Sequence, residues 1–546
     1  MSRLKTVFAT GVAAAALMAG AAQAQEVRWN DDTVDLVLGD LYDNQVITVP
    51  RDMLGTVFGP DEQPFEGAEI SVTVNAAGPK GGIAGPLYAF KPIWEQLSGG
   101  TVNVVELPFS EHYTKMMLDV RQGTGEYDAF MVGAFWYGDL AGANYAYPLD
   151  DFMAGDEFPQ WSYDPMPENL RVLHQWDETP YGVLNDADGQ VLYYRKDMLT
   201  DPEHQAAFEE EYGYAMPEPP ETWQQVLDMA NYFNGKNWDD NDAEPDSGIA
   251  LHLKVGEQGH YHFQSLSAPF VLNPGDSVTQ YDNVYWFDPT DMTPLIDSPG
   301  HVAALEFLQE LYTTGPDAAI GWSLGEAWDY FLRGKAVFAF SWGDLGSLAQ
   351  DPERSNVQGQ IGASLLPSTD QYWDFEAEAW VDAPEDRRVG NTTGGSWHGV
   401  ISAFSPHPEA TYSFLSLMAM KPVSLWNAQH GWTGVDPGYD YQFLEPEGEA
   451  TVEEYVGAGW NENDVTEYLG AYQETFNAPT MLPYLRIPGT FEYWDTLDKN
   501  LSAAMAGDMT AQEALETTAE AWQATTDRLG RDEQLQLYRE AIGYEG

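Results

Sequence analysis

The stretch GTGEYDAFMVGAFWYGDLAGANYAYPLDDF, residues 123–152, decides how the rest of the chain is read. Residues 127–132 are mostly apolar and read as a short strand that stops at Gly133. Phe135, Trp136, Tyr137 and Asp139 then fall in one loop before the chain turns away through Ala141 and Gly142. Open α/β sheets hold ligands just beyond the carboxyl ends of their strands. Aromatic faces beside a carboxylate at that place suit a polar, ring-shaped ligand, whose C–H faces stack on indole or phenol while its hydroxyls donate to Asp. Taken alone, the aromatic triplet reads rather as core with one solvated Asp. The order of the segments around it shifts the balance.

Working upstream, Ile70, Val72 and Val74 alternate with Ser71 and Thr73, which predicts a strand. A Gly-rich turn at 76–82 follows, then a helix with Leu87, Phe90, Ile93, Trp94 and Leu97 inward, ended by Gly99 and Gly100. Residues 102–107 form the next strand. Ser110 is positioned to cap a helix burying Tyr113, Met116, Met117 and Val120, which Gly123 stops. The order β-α-β-α-β, closing on the opening strand, predicts a parallel, doubly wound unit. The Gly-rich turn is not GxGxxG, and no GxxxxGK[ST] occurs anywhere, so nothing points to a nucleotide.

Downstream, Thr222 caps a helix with Trp223, Val226, Leu227, Ala230 and Phe233 on one face. Ser298 and Pro299 open another, with Val302, Leu305, Leu308 and Tyr312 inward, stopped by Gly315 and Pro316. Between them, residues 239–246 are strongly acidic. Pro245 stands where a calcium loop needs Gly, so this reads as a solvated surface loop rather than a Ca²⁺ site. Residues 25–66 alternate at Val34, Leu36 and Leu38 but are broken by Pro50, Gly55 and Pro64, and read as an N-terminal extension packed on the first lobe.

Residues 1–24 read as an export signal: Arg3 and Lys5, an apolar stretch at 7–18, and Ala22-Gln23-Ala24 before a cleavage point after Ala24. No stretch has the length of a membrane-spanning helix. With no cysteine there is no disulfide, thiolate metal site or lipidated Cys, so a free periplasmic protein is expected. Asp and Glu number 87 against 24 Lys and Arg, a formal charge of −63, which excludes non-specific binding to nucleic acid or anionic lipid. The charge is spread out, and 13% aromatic content argues for folded chain.

Five stretches in order then carry a resemblance: residues 125–152; YGVLNDADGQVLYYRKDML at 181–199; PPETWQQVLDMANYF at 219–233; FLRGKAVFAFSWGDLGSL at 331–348; and GGSWHGVISAFSPHPEATYSFLSLM at 394–418. Residues 481–515 resemble the closing helices of the same family. The chain resembles an extracellular solute-binding protein of carbohydrate ABC importers, maltose-binding-protein-like in plan. The extension before Gly67 and the segment at 439–474 are departures from that plan.

The resemblance implies an α/β, two-lobed periplasmic binding protein fold, each lobe a doubly wound sheet, with three crossing segments near 184–188, 341–344 and 402–406. The lobes it implies are 67–186 with 343–404, and 187–342 with 405–546. A neutral sugar or polyol would be held between them and delivered to the permease subunits of a membrane importer, by a monomer without cofactor or metal. Carried over by position, the solute contacts are Trp136, Tyr137 and Asp139; Asp188, with Asp186 second; Trp342 and Asp344; Trp397; and Trp494 with Tyr493. Tyr261 or His262 is a further candidate. His398 reads as a structural histidine. Several aromatic faces with carboxylates and few cations suit an uncharged polyol. Paired carboxylates also serve glycoside hydrolases, the competing reading, but no GxSxG, HExxH or Cys nucleophile accompanies them.

Overall fold

The computed structural model describes residues 25–75, 82–238, 246–384, 387–431 and 434–546. The expected export signal, most of the Gly-rich turn and nearly all of the acidic loop lie outside the described residues.

Two sheets form the cores of two lobes. The first has five strands in the order Thr101–Glu106, Glu69–Val74, Ala129–Gly133, Trp397–Ile401, Gly182–Asp186. Its first three strands are parallel, as the β-α-β-α-β order predicts, and helices Gly85–Ser98 and Phe109–Gln122 make the crossovers. Trp397–Ile401 runs antiparallel to both its neighbours. Gly99 and Gly123 close the two helices in left-handed conformation. Ser110 is not the cap: the second helix begins at Phe109 after Pro108, which leaves Ser110 inside its first turn.

The second sheet has the order Ser247–Ala250, Ala336–Ser341, Val191–Arg195, Ile361–Ser364 and is mixed, with Val191–Arg195 antiparallel to both neighbours. Helix Trp223–Phe233 packs on it, opened by a capping box between Thr222 and Gln225. Helix Pro299–Tyr312 opens on Ser298, whose hydroxyl accepts the His301 N–H.

The chain first passes between the sheets at 187–190. After Ala336–Ser341 the chain stays with the second lobe through Gly343–Leu348 and Ile361–Ser364, and reaches the first sheet only through 391–396. Helix Pro408–Ala419 then packs on Gly85–Ser98 and on the first sheet, and Lys421–Gln429 on the extension, so 402–406 is no crossing. The third passage follows Gln429, before helix Glu462–Phe476 covers the second sheet. Hence residues 343–390 belong with the second lobe and 397–429 with the first. Local alternation announces a strand, but hydrogen-bond partners far along the chain decide which sheet it joins.

The extension folds as a three-stranded antiparallel meander, Glu26–Trp29, Thr33–Val37 and Val46–Pro50, burying Val34, Leu36, Ile47 and Val49. It sits on the first lobe: Gln25 Nε2 donates to the Ala89 carbonyl at 2.9 Å, and Trp426 Nε1 to Gln45 Oε1 at 2.8 Å.

Candidate functional site

The crossing at 391–396 is a sharp turn in which Gly394 and Gly395 take φ of +106° and +69°. A Cβ on Gly394 would stand 2.6 Å from Trp342 Nε1 and 2.7 Å from Asp188 Oδ2. Only glycine therefore lets this backbone pass between an indole and a carboxyl. Trp342 donates its N–H to the Thr393 carbonyl, and its own carbonyl accepts the Tyr193 hydroxyl at 3.1 Å. Ser396 Oγ accepts the Asp188 N–H at 3.1 Å, and Trp397 donates to the Asp188 carboxyl.

Asp188 is one of four carboxyls that converge here. Asp186 ends a first-lobe strand, Asp188 lies in the first crossing, Asp344 in the first turn of Gly343–Leu348, and Asp436 in the third passage. Oxygens of Asp186, Asp188 and Asp436 come within 4.8 Å of one another, close enough to share a hard cation. The Asp436 N–H donates to Asp186 Oδ1 at 2.7 Å, and the hydroxyls of Tyr472 and Tyr468 donate to Asp436 at 2.8 and 3.1 Å. Among the described residues no Lys or Arg forms an ion pair with any of the four. Burial first, and neighbouring carboxylates second, push Asp186, Asp188 and Asp436 well above the usual carboxylate range, while burial lifts Asp344 to about 6. Such surroundings favour the protonated form of each carboxyl more than water does.

Beside it, a cavity of about 240 Å³ opens between the lobes. Phe109 and Phe135 form its first-lobe wall; His260, Tyr261, Trp494 and Asp498 form the opposite one. The Tyr261 ring lies edge-on to both Trp342 and Trp494, each at 5.6 Å, and Phe135 lies 5.4 Å from Trp494. A second cavity of about 260 Å³ lies near the same crossing at Pro483 and Tyr484. Its Arg486 already donates to the carbonyls of Val172, Gln175 and Ala541, so it has little left for a ligand.

The structure thus brings Asp186, Asp188, Asp344, Tyr261, Trp342, Trp397 and Trp494 into one region between the lobes. Trp136, Tyr137 and Asp139 stand behind it. Trp136 is fully buried, stacked on Phe109 at 6.1 Å and edge-on to Phe135 at 4.8 Å. The Tyr137 hydroxyl bonds His398 Nδ1, and Asp139 accepts the Tyr113 hydroxyl at 2.9 Å. Tyr493 packs in the second-lobe core, bonded to Thr526 Oγ1 at 2.9 Å, and His262 bonds His252 at 2.8 Å. Phe109, His260, Asp436 and Asp498 were not legible as site residues. The only sequence signal for His260 is its place beside Tyr261 at a helix start.

The chain belongs to the bacterial extracellular solute-binding proteins, whose family pattern matches residues 81–422. Solved structures with a similar fold include an ABC transporter solute-binding protein of Agrobacterium radiobacter K84 in complex with ribitol. It is 19% identical, with TM-score 0.62, over 84% of this chain and 100% of that one. One from Agrobacterium vitis S4, with bound D-mannitol, is 21% identical, TM-score 0.60, over 85% and 99%. A maltose-bound protein of T. maritima is 20% identical, TM-score 0.59, over 84% and 100%. An erythritol/L-threitol-binding protein of Mycolicibacterium smegmatis is 30% identical over 84 residues, 15% of this chain and 18% of that relative's length. Family and neighbours are binding proteins rather than enzymes, and no described helix is long and apolar enough to cross a membrane.

Proposed function

We propose that this protein captures an uncharged sugar or polyol between its lobes outside the cytoplasm and delivers it to an ABC-type importer. It does so as a monomer whose export signal is cleaved after Ala24, and it performs no chemistry on the solute. One observation carries the reading: a cavity walled by both lobes, aromatic on its faces, with carboxyls and no Lys or Arg among its lining residues. Apolar walls with a few convergent polar groups are what a small-molecule site requires. Solutes of the similar structures, ribitol, D-mannitol and maltose, belong to the same uncharged, hydroxyl-rich class. We assign the contacts to Tyr261 and Trp494, which line this cavity, and to Trp342, Trp397 and Asp188 of the adjoining crossing, with Asp186 and Asp344 behind them. Trp136, Tyr137, Asp139 and Tyr493 act by holding the walls.

A solute touching both lobes stabilises the closed arrangement over the open one. Calorimetry against a sugar and polyol panel, with solution scattering at saturation, tests this. A bound solute should reduce the radius of gyration and be recovered unchanged. An unaltered scattering profile at saturation, or conversion of the solute, would count against the proposal.

A further inference from the structure

Two of the passages between the lobes meet at one phenol. The Tyr472 side chain, on helix Glu462–Phe476 of the second lobe, is fully buried. Its oxygen lies 2.7 Å from the Gly189 carbonyl in the first passage and 2.8 Å from Asp436 Oδ2 in the third. It also accepts the N–H of Gly343, the first residue of helix Gly343–Leu348. A Cβ on Gly343 would stand 2.3 Å from the Asp436 carboxyl carbon, so only glycine lets this helix start and the carboxyl lie so close.

A phenol has one proton to give. Both oxygen–oxygen contacts have hydrogen-bond length, so each needs a proton between its oxygens. With a carboxylate at 436 the phenol would donate to it, and two bare oxygens would be left 2.7 Å apart at Gly189. The Gly189 carbonyl can only accept. Both contacts are satisfied when the phenol donates to Gly189 and Asp436 Oδ2 carries a proton of its own, which the phenol accepts. Oδ1, the carbonyl oxygen of that acid, accepts the Tyr468 hydroxyl at 3.1 Å. Asp436 is 3% exposed, which keeps bulk water from supplying the missing donor.

The surroundings hold no base to take this proton. The titratable groups facing Asp436 are Asp186 from the first-lobe sheet, Asp188 from the first passage and Asp344 from helix Gly343–Leu348. Tyr193 faces it from the second-lobe sheet, and Tyr468 and Tyr472 from helix Glu462–Phe476. Among the described residues no Lys, Arg or His pairs with it. A charge here would add repulsion to three crowded carboxyls. Burial first, and the Asp344 carboxyl second, favour the acid form in the same sense.

We propose that Asp436 stands as the protonated acid and, through Tyr472, fastens the first and third passages to each other, a fastening of the hinge that alkaline pH undoes by removing the proton. This role concerns the hinge and holds whatever solute the lobes take. Its sign is defined. The fold binds the proton more tightly than the unfolded chain does, so this stability is complete below the ordinary carboxylate range and is lost as pH rises through the raised value.

The test needs no solute. Infrared difference spectra of the full mature chain at neutral pH should contain a protonated-carboxyl C=O band that is lost in Asp436→Asn, kept in Asp186→Asn and displaced in Tyr472→Phe. In Asp436→Asn the amide nitrogen donates to Tyr472 and the amide oxygen accepts from Tyr468, so the pattern persists with no proton to lose. Between ~pH 6 and ~pH 9 the melting temperature of wild type should therefore fall more than that of Asp436→Asn. Over the same range scattering should show the wild-type radius of gyration rising while that of Asp436→Asn holds. Asp436→Ala, which offers neither group, should melt below Asp436→Asn at both ends of the range. If Asp436→Asn removes no acid band, or if it loses stability and compactness with pH as wild type does, the assignment is overturned.

Discussion

Tyr137 and His398, 261 positions apart, meet with the phenol oxygen 2.7 Å from Nδ1, and the His398 ring stacks at 3.8 Å on His174. This contact ties the loop after the third parallel strand to the strand that returns from the second lobe. It holds Tyr137 in the first-lobe core. Tyr137→Phe leaves the imidazole without its hydroxyl partner and should cost about 1–3 kcal/mol of stability. Melting curves check this, with the affinity of the folded protein staying near wild type.

Trp136→Ala should behave in the same way, more strongly. Its ring is fully buried among Phe109, His112, Tyr113 and Phe135. Truncating a buried Trp costs about 3–5 kcal/mol. Chemical denaturation should register that loss. A stable Trp136→Ala protein with selectively lost affinity would instead restore Trp136 to the contact surface.

Asp188→Ala should weaken solute binding about ten- to a hundredfold, since a hydroxyl in a closed cleft would lose a partner worth roughly 1.5–3 kcal/mol. Removing one of four crowded carboxyls also relieves repulsion, so the ligand-free melting point should hold or rise. Calorimetry and melting on the same preparation separate the two effects.

The carboxyl group makes stability depend on pH with a defined sign. Burial and the neighbouring Asp188, Asp436 and Asp344 raise Asp186 in the fold above its unfolded value. The folded state therefore binds the extra proton, and that stability is complete below the ordinary carboxylate range, near pH ~4. It is lost as pH rises toward and through the raised value. Asp186→Asn should accordingly raise the melting point at pH 8 and change it little at pH 4. An equal shift at both pH values would mean that Asp186 does not titrate with the fold.

Gly394→Ala should damage the crossing itself. The φ of +106° and a Cβ closing on Trp342 and Asp188 leave no relaxed position for a methyl group. Strain of this kind costs about 1–3 kcal/mol. The melting point should fall, and scattering should show a less closed average shape.

Much of the fold was legible because its signals are local. Ile70, Val72 and Val74 alternate, Thr222 and Ser298 cap their helices, and Gly99 and Gly123 end theirs, each within a few residues of the element it sets. The family pattern agrees with the order in which these pieces come. The candidate site was only partly legible. Asp188, Trp342, Trp397 and Trp494 each follow a recognisable strand or turn. Asp436 sits in a passage with no periodic signal, and His260 and Asp498 become neighbours only when two helix starts are brought together.

By itself, then, the sequence determined two α/β units, an acidic surface that repels nucleic acid and anionic lipid, and a set of aromatic and carboxyl side chains at strand ends. The tertiary structure alone decided that Ile361–Ser364 joins the second sheet and Pro408–Ala419 the first. It also decided that Phe135 faces the cavity while Trp136, its neighbour, stands behind it. The reason is physical. Element type depends on neighbours a few residues away, whereas sheet membership and the direction a side chain faces depend on packing partners hundreds of residues distant, which no local pattern encodes.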